Sequence, residues 1–171
     1  MIRRAIESDI KAVAEIYEKI IQAEENGKAS VGWQRNVYPT EKTAMQALKK
    51  NELFVMEENG LIVAAAKINQ EQVPEYDHCK WEYDAPDSEV MVLHTLVVDP
   101  DKAGFGYGTE FVAFYEEYAL SNSCRYLRMD TNEKNTAARK LYYKLGYKEP
   151  GIVPCVFNDG VQLVCLEKKL G

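Results

Sequence analysis

The segment Val98-Asp99-Pro100-Asp101-Lys102-Ala103-Gly104-Phe105-Gly106-Tyr107-Gly108 puts glycines at alternate positions directly after an apolar run. Glycine reaches positive φ without a Cβ clash and lets the backbone approach a ligand closely. Successive amide N–H groups can then converge on an anion, and a helix that follows adds about half a positive charge at its N-terminus. The pattern therefore suits a diphosphate held by main chain rather than by many basic side chains. It is not a P-loop, because Gly108-Thr109-Glu110 lacks the Lys-Ser/Thr ending. It is not a Rossmann fingerprint either, since Thr109 stands where the third glycine belongs and no acidic ribose partner is evident. A plain strand-to-helix turn is the ordinary alternative.

Two further residues have types suited to proton transfer. His94 is a lone histidine inside the apolar run Val90 to Val98, and Tyr142 lies in Asn135-Thr136-Ala137-Ala138-Arg139-Lys140-Leu141-Tyr142-Tyr143-Lys144-Leu145-Gly146-Tyr147. An imidazole titrates near neutrality, and a phenol can donate to a leaving group. Each has a structural alternative: a hydrogen-bonded core histidine, and a packed tyrosine whose hydroxyl is satisfied locally.

The elements that must position these residues follow from periodicity and turn signals. Residues 2–6 read as a short strand. Ser8 is the expected cap of a helix carrying Ile10, Val13, Ile16, Tyr17, Ile20 and Ile21 to about residue 25. A loop over 27–39 precedes a helix at 41–50 capped by Thr40. Strands at 53–57 and 61–68 meet at Asn59-Gly60, a hairpin signal. A polar insertion over 70–88 leads to a strand at 90–98. The glycine turn opens a helix to about residue 121, a strand covers 124–130, and Asn135 caps a helix to Leu145 with Gly146 past its end. Strands at 147–157 and 161–169 turn at Asn158-Asp159-Gly160. The order β-α-α-β-β-β-α-β-α-β-β is an α/β fold with a mixed sheet, expected as one domain over residues 1–171.

Composition narrows the function classes. With 46% apolar residues the chain can build a core, and its net charge of −6 disfavours nucleic acid as a partner. No apolar run reaches the roughly 18 to 20 residues of a membrane span, and the start lacks a secretory signal, so a cytoplasmic protein without membrane partners is expected. Cys79, Cys124, Cys155 and Cys165 form no C-x-x-C pair and only two histidines are present, so no metal site is expected.

The glycine segment resembles motif A of the GNAT acetyltransferase superfamily: valine, any residue, proline, two residues, then Arg/Gln-x-x-Gly-x-Gly opening a helix. The run Asn135 to Tyr147 resembles that family's Asn-x-x-Ala-x-x-Leu-Tyr-x-x-x-Gly-Phe/Tyr signature. Both occur in the family's order, and the resemblance covers nearly the whole chain. It departs at Ala103, where arginine or glutamine is usual, which implies altered diphosphate contacts. The resemblance implies an acetyl-CoA-dependent N-acetyltransferase that transfers acetyl to a primary amine of a small molecule, with acetyl-CoA as cosubstrate. A non-catalytic acetyl-CoA-binding sensor or interaction subunit is the alternative, and a homodimer is common in such proteins.

Residue by residue, the resemblance implies that Leu96, Val97 and Val98 bind the pantetheine arm through their backbone. The amides of Gly104, Phe105, Gly106, Tyr107, Gly108 and Thr109 would hold the diphosphate. Asn135 would touch the cosubstrate or fix its helix start. Tyr142 would protonate the leaving thiolate, and a backbone N–H near Val98 would meet the oxyanion. The amine also needs a base: an alkylammonium of pKa about 10.4 is neutral to only about one part in 2500 at pH 7. His94, positioned like a histidine of the arylalkylamine acetyltransferases, is the candidate, with Glu89 as its rival. Trp33 and Tyr38, with the acids and aromatics Glu71, Glu75, Tyr76, Asp77, Trp81, Glu82, Tyr83, Asp84 and Asp87, could hold a cationic acceptor, or could be a solvated loop with aromatics on the core edge.

Overall fold

The computed structural model describes all residues 1–171. The strands are β1 (Ile2–Arg4), β2 (Leu53–Glu58), β3 (Leu61–Asn69), β4 (Val90–Val98), β5 (Tyr126–Asn132), β6 (Lys148–Pro154) and β7 (Gln162–Lys169). The helices are α1 (Ile10–Glu25), α2 (Glu41–Lys49), α3 (Tyr107–Ser121) and α4 (Thr136–Lys144). One mixed sheet has the order β1-β2-β3-β4-β5-β7-β6. The mixed α/β fold and its element order are as the sequence implied.

Two compact units divide the chain. The first comprises Met1–Ala29, Trp33–Ile68 and His94–Phe114. Its β2 pairs antiparallel with β1 and β3, and the β2–β3 turn sets Asn59 and Gly60 at φ 52° and 78°, as the hairpin signal required. One stripe of α1, formed by Ile10, Val13, Ile16, Tyr17 and Ile21, is buried with Ala44 and Ala47 of α2 over Leu53, Val55 and Ala65. Thr40 caps α2 as expected, its own N–H donating to Thr43 Oγ1 at 2.9 Å. Ser8 does not cap α1. It sits in a single 3-10 turn, Glu7–Asp9, and the side chain of Asp9 accepts the Ile6 N–H at 2.8 Å. Asp9 also takes two guanidinium N–H bonds from Arg3, at 2.7 and 3.1 Å.

The second unit comprises Ser30–Gly32, Asn69–Leu93 and Tyr115–Gly171. β7 pairs antiparallel with β5 over its full length and with β6 on its other side. β5 starts at Tyr126 rather than Cys124, because the chain first closes the end of α3: Cys124 N–H donates to Ala119 O at 2.8 Å and Ser123 turns to φ 60°. At the end of α4, Gly146 takes φ 89°, with Gly146 N–H donating to Tyr143 O and Tyr147 N–H to Tyr142 O. This Schellman closure delays β6 to Lys148. β4 and β5 run parallel for only three pairs, Val90↔Tyr126 to Val92↔Arg128. At that point the fully buried Tyr115 hydroxyl lies 2.6 Å from Met91 O and 3.3 Å from Arg128 O.

Candidate active site

In the first unit, β4 continues past the last β5 pair through His94, Thr95, Leu96, Val97 and Val98. Thr95 has φ 53° inside this strand. A β-branched residue in that region is strained by about 1 to 3 kcal/mol, a cost typical of functional positions. Its hydroxyl hydrogen-bonds the Tyr38 hydroxyl, and Tyr38 meets Trp33 edge-on at 6.1 Å between ring centres. The loop over 27–39 is thereby tied to the distorted strand. His94 is half-buried two residues after Val92. Glu89 is exposed at the paired end of β4, and its charge is felt by Cys124. It precedes β4 in the turn Asp87–Glu89, five residues before His94.

Beyond β4, Asp99 Oδ1 accepts the Asp101 N–H at 3.0 Å and starts a short turn, Pro100–Lys102. Lys19 of α1 bridges Asp99 at 3.0 Å and Asp101 at 2.8 Å, which anchors the entry to the glycine loop. That anchor draws the Asp101 carboxyl below its usual range. Sequence reading missed Lys19, since its partners lie some eighty positions away.

The loop itself is open. Gly104 and Gly106 take φ 86° and 78°, and a Cβ built on either meets no atom within 4 Å. Phe105 is 68% exposed and stacks on Tyr107 at 5.7 Å. Glu110 N–H is the first to find a carbonyl, that of Gly106 at 3.0 Å. The N–H groups of residues 104–109 have no acceptor within the chain. A consecutive run of unpaired amides, bent by two left-handed glycines and ending on a helix N-terminus, fits an anion with several oxygens. Ala103 is exposed at the loop's start. Its methyl side chain offers no hydrogen-bond donor, so an anion in this loop has only the backbone N–H groups to meet.

In the second unit, Asn135 caps α4, its Oδ1 accepting the Ala138 N–H at 3.2 Å. The ordinary cap reading of this residue is thus correct. Tyr142 is 7% exposed and meets Tyr147 edge-on at 5.8 Å. No group of the chain hydrogen-bonds its hydroxyl. Burial raises the Tyr142 phenol above its ordinary value, and the nearby Asp130 charge adds to this. Such a phenol stays protonated at neutral pH and can act as a proton donor.

Asp130 on β5 escaped the sequence reading. Its Oδ2 accepts the Tyr76 hydroxyl at 2.7 Å. Desolvation pushes its carboxyl up to about 6, with the Glu75 charge adding and the Tyr76 hydrogen bond opposing. Its one sequence signal was alternation with the buried Leu127 and Met129, which placed it on the opposite face of the strand.

The 71–89 insertion differs from an open aromatic cage. The chain's own cations occupy its rings: Arg128 lies 4.3 Å from the Trp81 ring centre, and Lys148 and Lys169 lie 5.8 and 5.9 Å from that of Tyr83. Trp81 Nε1 donates to Tyr76 O at 3.0 Å, and Glu82 N–H to Glu167 at 2.6 Å. The insertion is a clamp over β5 and β7. Beneath it a cavity of about 440 Å³ is lined by residues including Gln70, Tyr76, Asp77, Trp81 and Arg128.

The acetyltransferase (GNAT) family model matches residues 14–147. Two uncharacterized N-acetyltransferases of Methanocaldococcus jannaschii are similar. One is 29% identical over 76 residues, covering 44% of this chain and 49% of the relative. The other is 27% identical over 158 residues, covering 89% and 62%. The matches thus span about half to three-fifths of those relatives. A GNAT family acetyltransferase structure from Streptococcus agalactiae superposes with a TM-score of 0.85 at 24% identity, covering 100% of this chain and 95% of that one. YncA of Salmonella typhimurium, described as a putative acetyltransferase with its cofactor acetyl-CoA, superposes with a TM-score of 0.73 at 19% identity, covering 100% and 94%.

Proposed function

The chain belongs to the acetyltransferase (GNAT) family, and from that premise we propose that it is an acetyl-CoA-dependent N-acetyltransferase acting on a primary amine of a small molecule. The observation that carries the reading is the run of unpaired N–H groups over residues 104–109, with Gly104 and Gly106 left-handed. These amides hold the diphosphate of acetyl-CoA, and Lys19 keeps the loop's entry in place through Asp99 and Asp101. The main chain of Leu96, Val97 and Val98, beyond the last β5 pair, takes the pantetheine arm like an added strand. Asn135 fixes the start of the helix that carries Tyr142.

The chemistry is direct transfer. The neutral amine nitrogen attacks the thioester carbonyl carbon, and the carbonyl oxygen gains charge that a backbone N–H near Val98 meets, a contribution of about 3 kcal/mol. The carbon–sulfur bond then breaks and the thiolate takes the Tyr142 proton. His94, directly or through water, takes the proton that the amine must lose. Glu89 is the weaker candidate, because it stands at the paired end of β4. No helix is long and apolar enough to cross a membrane.

The test is a free-thiol assay with acetyl-CoA and a panel of amines. Thiol release that depends on one class of amine supports the enzyme. Binding of acetyl-CoA with no release for any amine would replace it by the sensor reading.

A further inference from the structure

We infer that Asp130 is the group that receives the charged amine of the acceptor, so that this site selects alkylammonium over neutral acceptors; the inference rests on Tyr142 being the catalytic phenol. Asp130 uses Oδ2 for the Tyr76 hydroxyl, while no hydrogen bond reaches Oδ1, and the residue keeps part of its surface open. Next to Tyr76 in the turn Pro74–His78 is a second acid. Glu75 is 2% exposed, one of its oxygens takes the Val156 N–H at 3.2 Å, and the other, Oε1, is buried without any partner. Its charge acts on Asp130.

Neither carboxylate joins any ion pair of the chain. A carboxylate that serves structure alone is paired when it is withdrawn from water, as Asp9 is by Arg3. Here the groups facing Asp130 are Tyr76 and Glu75 from the turn Pro74–His78, Cys165 from β7 and Tyr142 from α4. None of them is a cation. The missing counter-charge is supplied by an ammonium, whose N–H groups can donate to Oδ1. The Asp130 charge is felt at the Tyr142 phenol, so an amine held there stands beside the proton donor. A neutral hydroxyl acceptor gains nothing comparable.

A pH dependence follows. Asp130 must be ionised to hold the ammonium, so amine affinity falls as pH drops through about 6. The alkylammonium, with a pKa of about 10.4, keeps its charge throughout this range.

The experiment is a carboxyl ¹³C titration of the full chain labelled at aspartate, with Asp130 assigned by loss of its signal in Asp130→Asn. n-Butylammonium is the probe and n-butanol its neutral control. Butylammonium is expected to lower the Asp130 midpoint by about one unit, and butanol to leave it in place. Tyr76→Phe should raise the midpoint and Glu75→Gln lower it. With the best amine from the screen, Asp130→Asn should raise KM by about 50-fold, lower kcat far less, and leave acetyl-CoA affinity unchanged. An Asp130 midpoint that butylammonium does not move, in a chain that binds acetyl-CoA, overturns this inference alone. Failure of the wild-type chain to bind acetyl-CoA overturns the proposed function instead. The wild-type titration decides even if Asp130→Asn does not fold.

Discussion

Asp9 and Asp130 are both carboxylates withdrawn from water, and they titrate in opposite directions. Asp9, in the first unit, receives two guanidinium bonds from Arg3 and an N–H from Ile6, and its carboxyl is held below the usual range. Asp130, in the second, has a tyrosine hydroxyl and a neighbouring acid, and its carboxyl rises to about 6. The first arrangement stabilises a fold. The second costs stability, and a carboxyl perturbed in this way beside Tyr142 marks a candidate functional position.

The largest expected effect falls on the catalytic side of this contrast. Tyr142→Phe should lower turnover by about 10- to 1000-fold while acetyl-CoA affinity stays similar, measured by steady-state kinetics and calorimetry. Unchanged turnover would remove the phenol from the chemistry, and with it the reason for an uncompensated acid nearby.

Next comes a substitution that makes Asp9 resemble Asp130. Arg3→Ala strips Asp9 of its cation and should destabilise the chain by about 2 kcal/mol at pH 7 in urea unfolding. A depressed carboxyl contributes stability that is full above its unfolded pKa and lost as pH falls through its folded pKa. The deficit of Arg3→Ala should therefore shrink below about pH 4. A deficit independent of pH would mean that Arg3 works through packing.

The reverse substitution has the opposite sign. Asp130 binds its proton more tightly folded than unfolded, so it lowers stability as pH rises from about 4 to about 6. Asp130→Asn should remove that fall and gain up to about 2 kcal/mol at pH 8, less whatever the lost Tyr76 bond contributed. A loss of stability at pH 8 would contradict the uncompensated state of this acid. The smallest effect is expected at Arg35, whose bonds to Glu18 and Glu25 are exposed. Arg35→Ala should leave the urea midpoint unchanged, because exposed pairs contribute little.

Much of this molecule is legible in its sequence where local chemistry decides. The run Val90 to Val98 is bounded as read, the glycine segment opens α3, Asn135 caps α4, and Asn59-Gly60 turns its hairpin. What escaped was decided by distant partners. Thr95, β-branched within an apolar run, favours extended backbone, yet it takes positive φ where the Tyr38 hydroxyl meets it from 57 positions away. Asp130 finds Tyr76 from 54 positions away, and Lys19 reaches Asp99 across 80. The aromatics of the insertion were visible, but their engagement by Arg128, Lys148 and Lys169 depends on how the insertion folds over β5 and β7. Ser8 has the residue type of a cap, but it is Asp9, one residue on, that takes the Ile6 N–H and a guanidinium partner.

The central claim is that the amides of residues 104–109 grasp acetyl-CoA. Isothermal calorimetry of the wild-type chain with acetyl-CoA, repeated with Gly106→Ala, tests it most directly. Saturable heat is expected for the wild type, with affinity weakened about tenfold by Gly106→Ala, since alanine resists the left-handed conformation that aims these amides. Absence of any binding heat at millimolar acetyl-CoA, or equal affinity in the two chains, would contradict it.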